Sequence, residues 1–401
     1  LRAELVSTFP WLSCLAVILL MWQLPMMAVL LSRLALGPFR KPPLKPKSAT
    51  LAQLGTVSVV VPTLNEAMRL RPCLDGLTRQ GYEVREVLVV DSRSTDGTQA
   101  LVATYQHHDR RIRLLTDDPL PTGWVGRPWA LDYGFRHTSP ASTWVLGLDA
   151  DTQPQPGLAA AIAAAMEHEN YDLVSLAPQF ILKTAGEFWL QPALLMTLVY
   201  RFGPAGGASA TPQRVMANGQ CFMVRRSLLA SLDGYQSARN SFCDDVTLAR
   251  YAAAQGAKVG FWDGRLLLRV RMYEGIAETW REWGRSLDLK DAANPAQTWW
   301  DVAFLALVQG LPWILTPVLL VLKLGELEDW SLPLRLLLSL NSILLLIRVA
   351  MQIAITSAYD FTGASERWAF WLSPLADIAA VTRIGLSAWQ RPTQWRGRQY
   401  P

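Results

Sequence analysis

Trp144-Val145-Leu146-Gly147-Leu148-Asp149-Ala150-Asp151 decides how this chain is read. Five apolar residues have the length and character of a strand buried on both faces. The two carboxylates that follow, two residues apart on extended backbone, project to one side. At the end of a buried strand such a pair suits a hard divalent cation and a phosphate ligand. Two other apolar runs end in the same way. Val57-Ser58-Val59-Val60-Val61-Pro62-Thr63 leads to Asn65-Glu66, and Val87-Leu88-Val89-Val90 leads to Asp91. A second acidic pair, Asp244-Asp245, lies downstream. Together these carboxylates imply a metal-dependent site for a nucleotide diphosphate.

Working outward, Ile112–Leu115 and Leu173–Leu176 add two more short runs, with helical stretches such as Thr98–Tyr105 between the runs. Alternating β and α elements predict an α/β fold with a doubly wound, mostly parallel sheet over about 56–300. Ligands in such sheets bind beyond the carboxyl ends of the strands, where Asn65, Asp91 and Asp149 stand.

The rest of the chain is apolar. Of 401 residues 51% are hydrophobic and 18% charged, with seventeen Trp, a residue that favours the membrane interface. Trp11–Leu36 is long enough to cross ~30 Å of hydrocarbon and has no small-residue cleavage site after it, so residues 1–36 read as an uncleaved anchor. Arg33, Arg40, Lys41, Lys45 and Lys47 follow it, which places the α/β domain in the cytosol and makes 37–55 a basic, Pro-rich linker. Val302–Leu324, Leu332–Ser357 and Trp368–Trp389 form further membrane segments within 301–390, and the first two can each span. The acidic connection Gly325–Trp330 suits a non-cytoplasmic loop. Pro374, Asp377 and Arg383 argue that the third segment enters and returns or lies along the cytosolic interface, with Asp377 paired to Arg348. A basic tail, 391–401, then carries Arg391, Arg396 and Arg398 back to the active-site mouth. The net charge of +5 is clustered beside apolar spans, a pattern for lipid headgroups and topology rather than nucleic acid. Four cysteines without metal-type spacing fit a reducing compartment.

Several motifs carry chemistry, each with a plainer alternative. Thr63, Asn65 and Glu66 read as base and ribose contacts or as a helix-capping loop. Asp91 reads as a ribose or base ligand or as a cap, a task that Asp96 suits better. In Gly123-Trp124-Val125-Gly126-Arg127-Pro128-Trp129, Arg127 has the chemistry to clamp a phosphate, and the alternative is a loop with two packed Trp. Asp244 and Asp245 open a helix, where they favour its dipole. An attacking hydroxyl must also lose its proton, and Asp245 is the candidate general base. Asn218, Gly219 and Gln220 are candidates for the acceptor side. Phe188–Tyr200 is an interfacial or a core helix. Glu278–Arg285 anchors at the interface or closes the donor site, with Trp280 on the acceptor side and Trp283 on the donor side.

In this order the motifs resemble those of family 2 inverting glycosyltransferases of the GT-A type, from about Val57 to Arg285. The resemblance implies donor contacts at Pro62, Thr63, Asn65, Glu66, Asp91, Arg127 and Asp149, a Mg²⁺ or Mn²⁺ ion at Asp149 and Asp151, and catalysis by Asp245 beside Asp244. Family members carry Glu where this chain has Asp244. Processive members carry Gln-x-x-Arg-Trp after the base; Trp280-Arg281-Glu282-Trp283 stands there instead, which speaks against long-polymer synthesis. The anchor, the Gly-Trp-x-Gly-Arg segment, the C-terminal apolar stretches and Trp395–Tyr400 are similar to membrane enzymes that modify polyisoprenoid lipids, in particular the carotenoid glycosyltransferases of cyanobacteria that act on the 2′-hydroxyl of myxol-type xanthophylls. That likeness implies a nucleotide-sugar donor, a carotenoid-like lipid acceptor and a bacterial membrane. Hopanoid, polyprenyl-phosphate and polysaccharide transferases are the alternative acceptor classes, and a nucleotide-binding scaffold without chemistry is the alternative of another kind. A nucleotidyltransferase is disfavoured because no glycine-rich triphosphate loop follows the first strand.

Overall fold

The computed structural model describes residues 10–207, 211–284, 287, 289–325, 330–390, 394, 395, 398 and 399. Arg285, the acids at 326, 328 and 329, and Arg391 and Arg396 of the tail, all named above, lie outside the described residues.

After the apolar helix α1 (Pro10–Leu34), the chain forms β1 (Val57–Thr63), α2 (Arg71–Thr78), β2 (Val84–Asp91), α3 (Thr98–His108), β3 (Ile112–Thr116), α4 (Gly126–Arg136), β4 (Trp144–Leu148) and β5 (Thr152–Pro154). There follow α5 (Leu158–Glu169), β6 (Leu173–Ala177), β7 (Gln179–Ile181), α6 (Ala185–Phe202), β8 (Cys221–Arg225), α7 (Arg226–Ser231), α8 (Asp244–Ala254), β9 (Val259–Asp263), β10 (Leu268–Val270) and the short α9 (Gly275–Glu278). The main sheet has the order β3-β2-β1-β4-β8-β6-β9. All five expected strands are in it. Pairs β1–β2, β2–β3, β1–β4 and β6–β9 are parallel, while β8 runs antiparallel to both β4 and β6. The sheet is therefore mixed, mostly parallel, as the α/β pattern predicts.

β1 lies inside the sheet, and Val57, Val59, Val60 and Val61 are all buried. Helices cover both faces, so every β1 side chain meets protein and the run has no polar alternation. Gly134 on α4 shows how close that cover is: a Cβ there would fall 2.3 Å from Val60 Cγ1.

The apolar segments pack beside this α/β body. Among the described residues three helices are long and apolar enough to cross a membrane, at Trp11–Phe39, Leu332–Ala358 and Arg367–Trp389. The expected span Val302–Leu324 is a bent pair of helices. Helix α10 (Pro295–Leu305) passes through a wide turn at Ala306–Gly310 into α11 (Pro312–Gly325), with a 40° bend. Pro312 has no N–H to continue the ladder, which accounts for the break. Phe188–Tyr200 lies within an unbroken and largely buried α6 that carries Pro192 inside it, so the core-helix alternative describes it. After α12 (Leu332–Ala354) the chain returns to the body, where β11 (Tyr359–Asp360) joins a small second sheet of order β11-β7-β10-β5. The chain then runs through a 3₁₀ stretch, Arg367–Ala376, into α13 (Asp377–Trp389). The sequence pairing of Asp377 with Arg348 is present: Arg348 Nε donates to Asp377 Oδ2 at 2.7 Å, both residues buried.

Candidate active site

Arg127 joins Asp149, just past the carboxyl end of β4, to Asp244 at the start of α8. Its Nε donates to Asp149 Oδ1 at 2.9 Å, Nη2 donates to the Gly219 carbonyl at 2.7 Å, and Nη1 pairs with Asp244 Oδ2. Arg127 enters from the first turn of α4, and behind it the indoles of Trp124 and Trp129 pack edge to face at 5.3 Å. The tryptophans pack, as the plainer alternative has it, and the arginine reaches the acid cluster. The guanidinium is turned to carboxylates and a carbonyl, whereas a phosphate clamp was expected.

Gly219 is required by this arrangement, since a Cβ there would stand 2.4 Å from Arg127 Nη2. The arginine head is flexible and is able to move aside. Gly219→Ala is thus expected to leave thermal stability within about 1 kcal/mol while displacing the guanidinium and lowering turnover. Unchanged kinetics together with unchanged melting would contradict this role.

Asp244 and Asp245 occupy the first turn of α8. Burial, and next the Asp244 carboxylate, push Asp245 up to about 7, while Arg127 opposes the shift. Asp244 is also raised by burial, against the pull of Arg127. A carboxyl that titrates near neutrality is matched to proton transfer.

Two cavities meet at this cluster. The smaller, about 60 Å³, is lined by Pro62, Thr63, Glu66, Arg127, Asp149 and Asp151. The larger, about 940 Å³, takes in Asp149, Asp151, Asp244 and Asp245 at one end together with Asn218, Gly219, Gln220 and Trp283. It continues between Leu195, Leu198 and Val199 of α6 and Met351 and Ala354 of α12. Asn218 and Gln220 brace each other, Nδ2 to Oε1 at 3.0 Å and backbone N to Oδ1 at 3.0 Å. The buried Gln220 Nε2 has no hydrogen-bond partner among the described residues.

Three expected site residues line neither cavity. Asp91 is fully buried and accepts from Thr63 Oγ1, Ser94 N, Ser94 Oγ and Gln99 Nε2, so its oxygens organise the turn after β2. Asn65 adopts a left-handed backbone (φ 55°) and its side chain accepts from Thr95 N at 2.8 Å, a loop-bracing role. Trp280 packs under the Arg383 guanidinium, 5.8 Å from the ring centroid, and Arg383 itself lines the large cavity. Trp283 lines the cavity, with its ring 5.6 Å from Phe180. Asp96 serves as expected, its Oδ1 accepting from Thr98 N at the start of α3. Glu278, the first residue of the Glu278–Arg285 stretch, lines the large cavity and pairs with Arg69 at 3.0 Å, a partner the sequence reading did not find. Their separation of 209 residues left no local signal.

Among the described residues no group of three or more His, Cys, Asp and Glu is placed to hold a metal by itself. A hard cation bound with a nucleotide needs only one or two carboxylates, because phosphate oxygens and water complete its shell. Asp149 and Asp151 fit such an ion.

Residues 58–232 match the profile of Glycosyl transferase family 2. Among curated relatives, a 4,4′-diaponeurosporenoate glycosyltransferase of Staphylococcus haemolyticus is 24% identical over 235 residues, 58% of this chain and 61% of the relative. Glycosyltransferase AglE of Haloferax volcanii is 34% identical over 73 residues, 18% of this chain and 24% of the relative. The chain thus spans less than two thirds of the length of these relatives. Among solved structures, the mannosyltransferase PcManGT of Pyrobaculum calidifontis, in complex with GDP-Man and Mn²⁺, superposes with a TM-score of 0.53 at 21% identity, covering 94% of this chain and 99% of that one. That likeness shows the fold. Residues 58–232 carry a glycosyl transferase family 2 domain.

Proposed function

We propose that this protein transfers a single sugar, with inversion, from a nucleotide-sugar donor to a hydroxyl of a membrane-dissolved polyisoprenoid lipid of carotenoid type. One observation carries the acceptor class. The 940 Å³ cavity has carboxylates at one end and apolar side chains of α6 and α12 at the other, a shape for an amphipathic lipid with one reacting polar end. The Staphylococcus relative, named for a diaponeurosporenoate, supports the same class.

In this reading the donor's nucleotide lies along the ends of β1 and β4, over Thr63, Glu66 and Asp149. Asp149 and Asp151 hold a divalent cation, which when bound offsets charge on the departing diphosphate. Asp245 accepts the proton of the acceptor hydroxyl as its oxygen bonds to the anomeric carbon and the nucleoside diphosphate departs. Asp244 keeps Arg127 in place, and Arg127 in turn orients Asp149. The α/β body then faces the cytosol, where nucleotide sugars are found.

The decisive test is expression in a host that makes a hydroxylated carotenoid, followed by mass analysis of the pigments. A mass increase of one hexose is expected. A glycosylated polyprenyl phosphate or hopanoid with unchanged carotenoid would transfer the assignment to that acceptor. Asp151→Ala is expected to weaken metal-dependent nucleotide binding by ~10-fold or more, the scale for losing a charged ligand. Titration calorimetry with Mn²⁺ and nucleotide checks this, and equal affinities would remove Asp151 from the metal site.

A further inference from the structure

The last apolar helix, Arg367–Trp389, has the length and composition of a span. Its contacts describe something else. At one end Glu366 accepts a hydrogen bond from Ala185 N, at the start of α6, just after β11 has paired with β7 in the small sheet. At the other end Lys290 Nζ donates to the Ser387 carbonyl at 2.7 Å, and Ser387 Oγ donates to the Gly284 carbonyl at 2.7 Å. Arg383 Nε donates to the Trp280 carbonyl at 2.7 Å. Both ends are therefore tied to the α/β body, and a crossing helix would carry one end to the far side.

The side chains divide by face along the whole length. Phe370, Ser373, Asp377, Ala380, Ile384 and Ser387, three and four apart, are buried against protein. Trp368, Trp371, Leu375, Ile378, Leu386 and Trp389 are exposed, Trp389 at 79%. Water would not favour such a stripe; a bilayer interface does, with tryptophans at the headgroup level. The ring of Trp389 also meets that of Trp299, likewise exposed, at 6.0 Å. Asp377, in mid-helix, meets Arg348, which lies six residues before the end of α12, or ~9 Å along its axis at 1.5 Å per residue. That depth matches the ~5–10 Å to which in-plane amphipathic helices sink.

We propose that Arg367–Trp389 lies in the plane of the leaflet next to the α/β body, its tryptophan-bearing face on lipid, and forms the membrane-side wall of the large cavity. Arg383, Ser387 and Gln390 line that cavity. A lipid acceptor then enters sideways from this leaflet, past the helix, rather than from water; this consequence rests on the acceptor reading above.

Two measurements on the full chain in sealed membrane vesicles test the placement without any acceptor, so their failure is separable from failure of the transferase reading. A C-terminal epitope tag should become accessible to protease together with the α/β body. A tag protected when the body is cleaved, or the reverse, would mean that the helix crosses. In the second, Cys14, the exposed cysteine among the described ones, is replaced by Ser, and Leu375→Cys carries a fluorescent probe. Nitroxide near the headgroup should quench it more strongly than nitroxide at the acyl-chain end. Stronger quenching by the chain-end nitroxide overturns the in-plane placement. If acceptor KM, but not donor hydrolysis, rises in Leu375→Lys, the wall role is supported; equal KM values would refute lateral entry past this helix.

Discussion

Asp245→Asn is expected to lower kcat by at least ~10², the usual contribution of a positioned general base, with donor affinity nearly unchanged. The amide keeps the shape and burial of the carboxyl but takes no proton. Donor affinity should persist because the groups proposed to hold the nucleotide, at Thr63, Glu66, Asp149 and Asp151, sit on other elements. The pH dependence supplies a second readout. Burial and then Asp244 raise the Asp245 carboxyl to about 7, and only its deprotonated form acts as a base. The wild-type kcat/KM should therefore climb as pH rises through about 7, and this limb should vanish in the residual activity of Asp245→Asn. Full turnover in the purified variant would assign the base elsewhere, with Asp244 the nearest carboxylate.

Arg348→Met should destabilise the protein by about 3–5 kcal/mol, the range for removing one partner of a buried ion pair. The Asp377 carboxylate would keep Gln309 Nε2 at 3.0 Å and Trp313 Nε1 at 3.2 Å but lose its only cationic contact among the described residues. Because both residues are buried, no water replaces the lost charge. The double variant Arg348→Met/Asp377→Leu should recover most of the loss, since a well-packed apolar pair is often no less stable than a buried ionic one. Melting of detergent-solubilised protein checks both, and a single variant as stable as wild type would show that the pair contributes little.

Much of the α/β body was legible because its strands carry their own signal. Val57–Val61, interrupted only by Ser58, and Trp144–Leu148 are buried on both faces, so they read as near-continuous apolar runs whatever their neighbours. β8 was not found: Cys221-Phe222-Met223-Val224-Arg225 has few β-branched residues, and its antiparallel place between β4 and β6 comes from pairing alone. The acids at strand ends were readable for a like reason, since a carboxylate next to a buried run is conspicuous. What each acid does was not. Asp91 and Asp149 look alike in sequence, yet one is consumed by the turn it organises and the other opens onto two cavities.

The class of fold, the presence of apolar helices around it, and even the partner of Asp377 were readable from residue order alone, because buried runs, hydropathy and the cost of a lone charge in lipid are properties of local composition. The packing of distant elements was needed to show that Arg127 bridges Asp149 and Asp244, that Glu278 meets Arg69, and that the acid cluster continues into an apolar cavity walled by α6 and α12. Those relations join residues up to 209 positions apart. Nothing in the spacing of side chains along a strand or helix encodes a contact between elements; it exists only once the sheet order and the packing of the apolar helices have brought the two ends together.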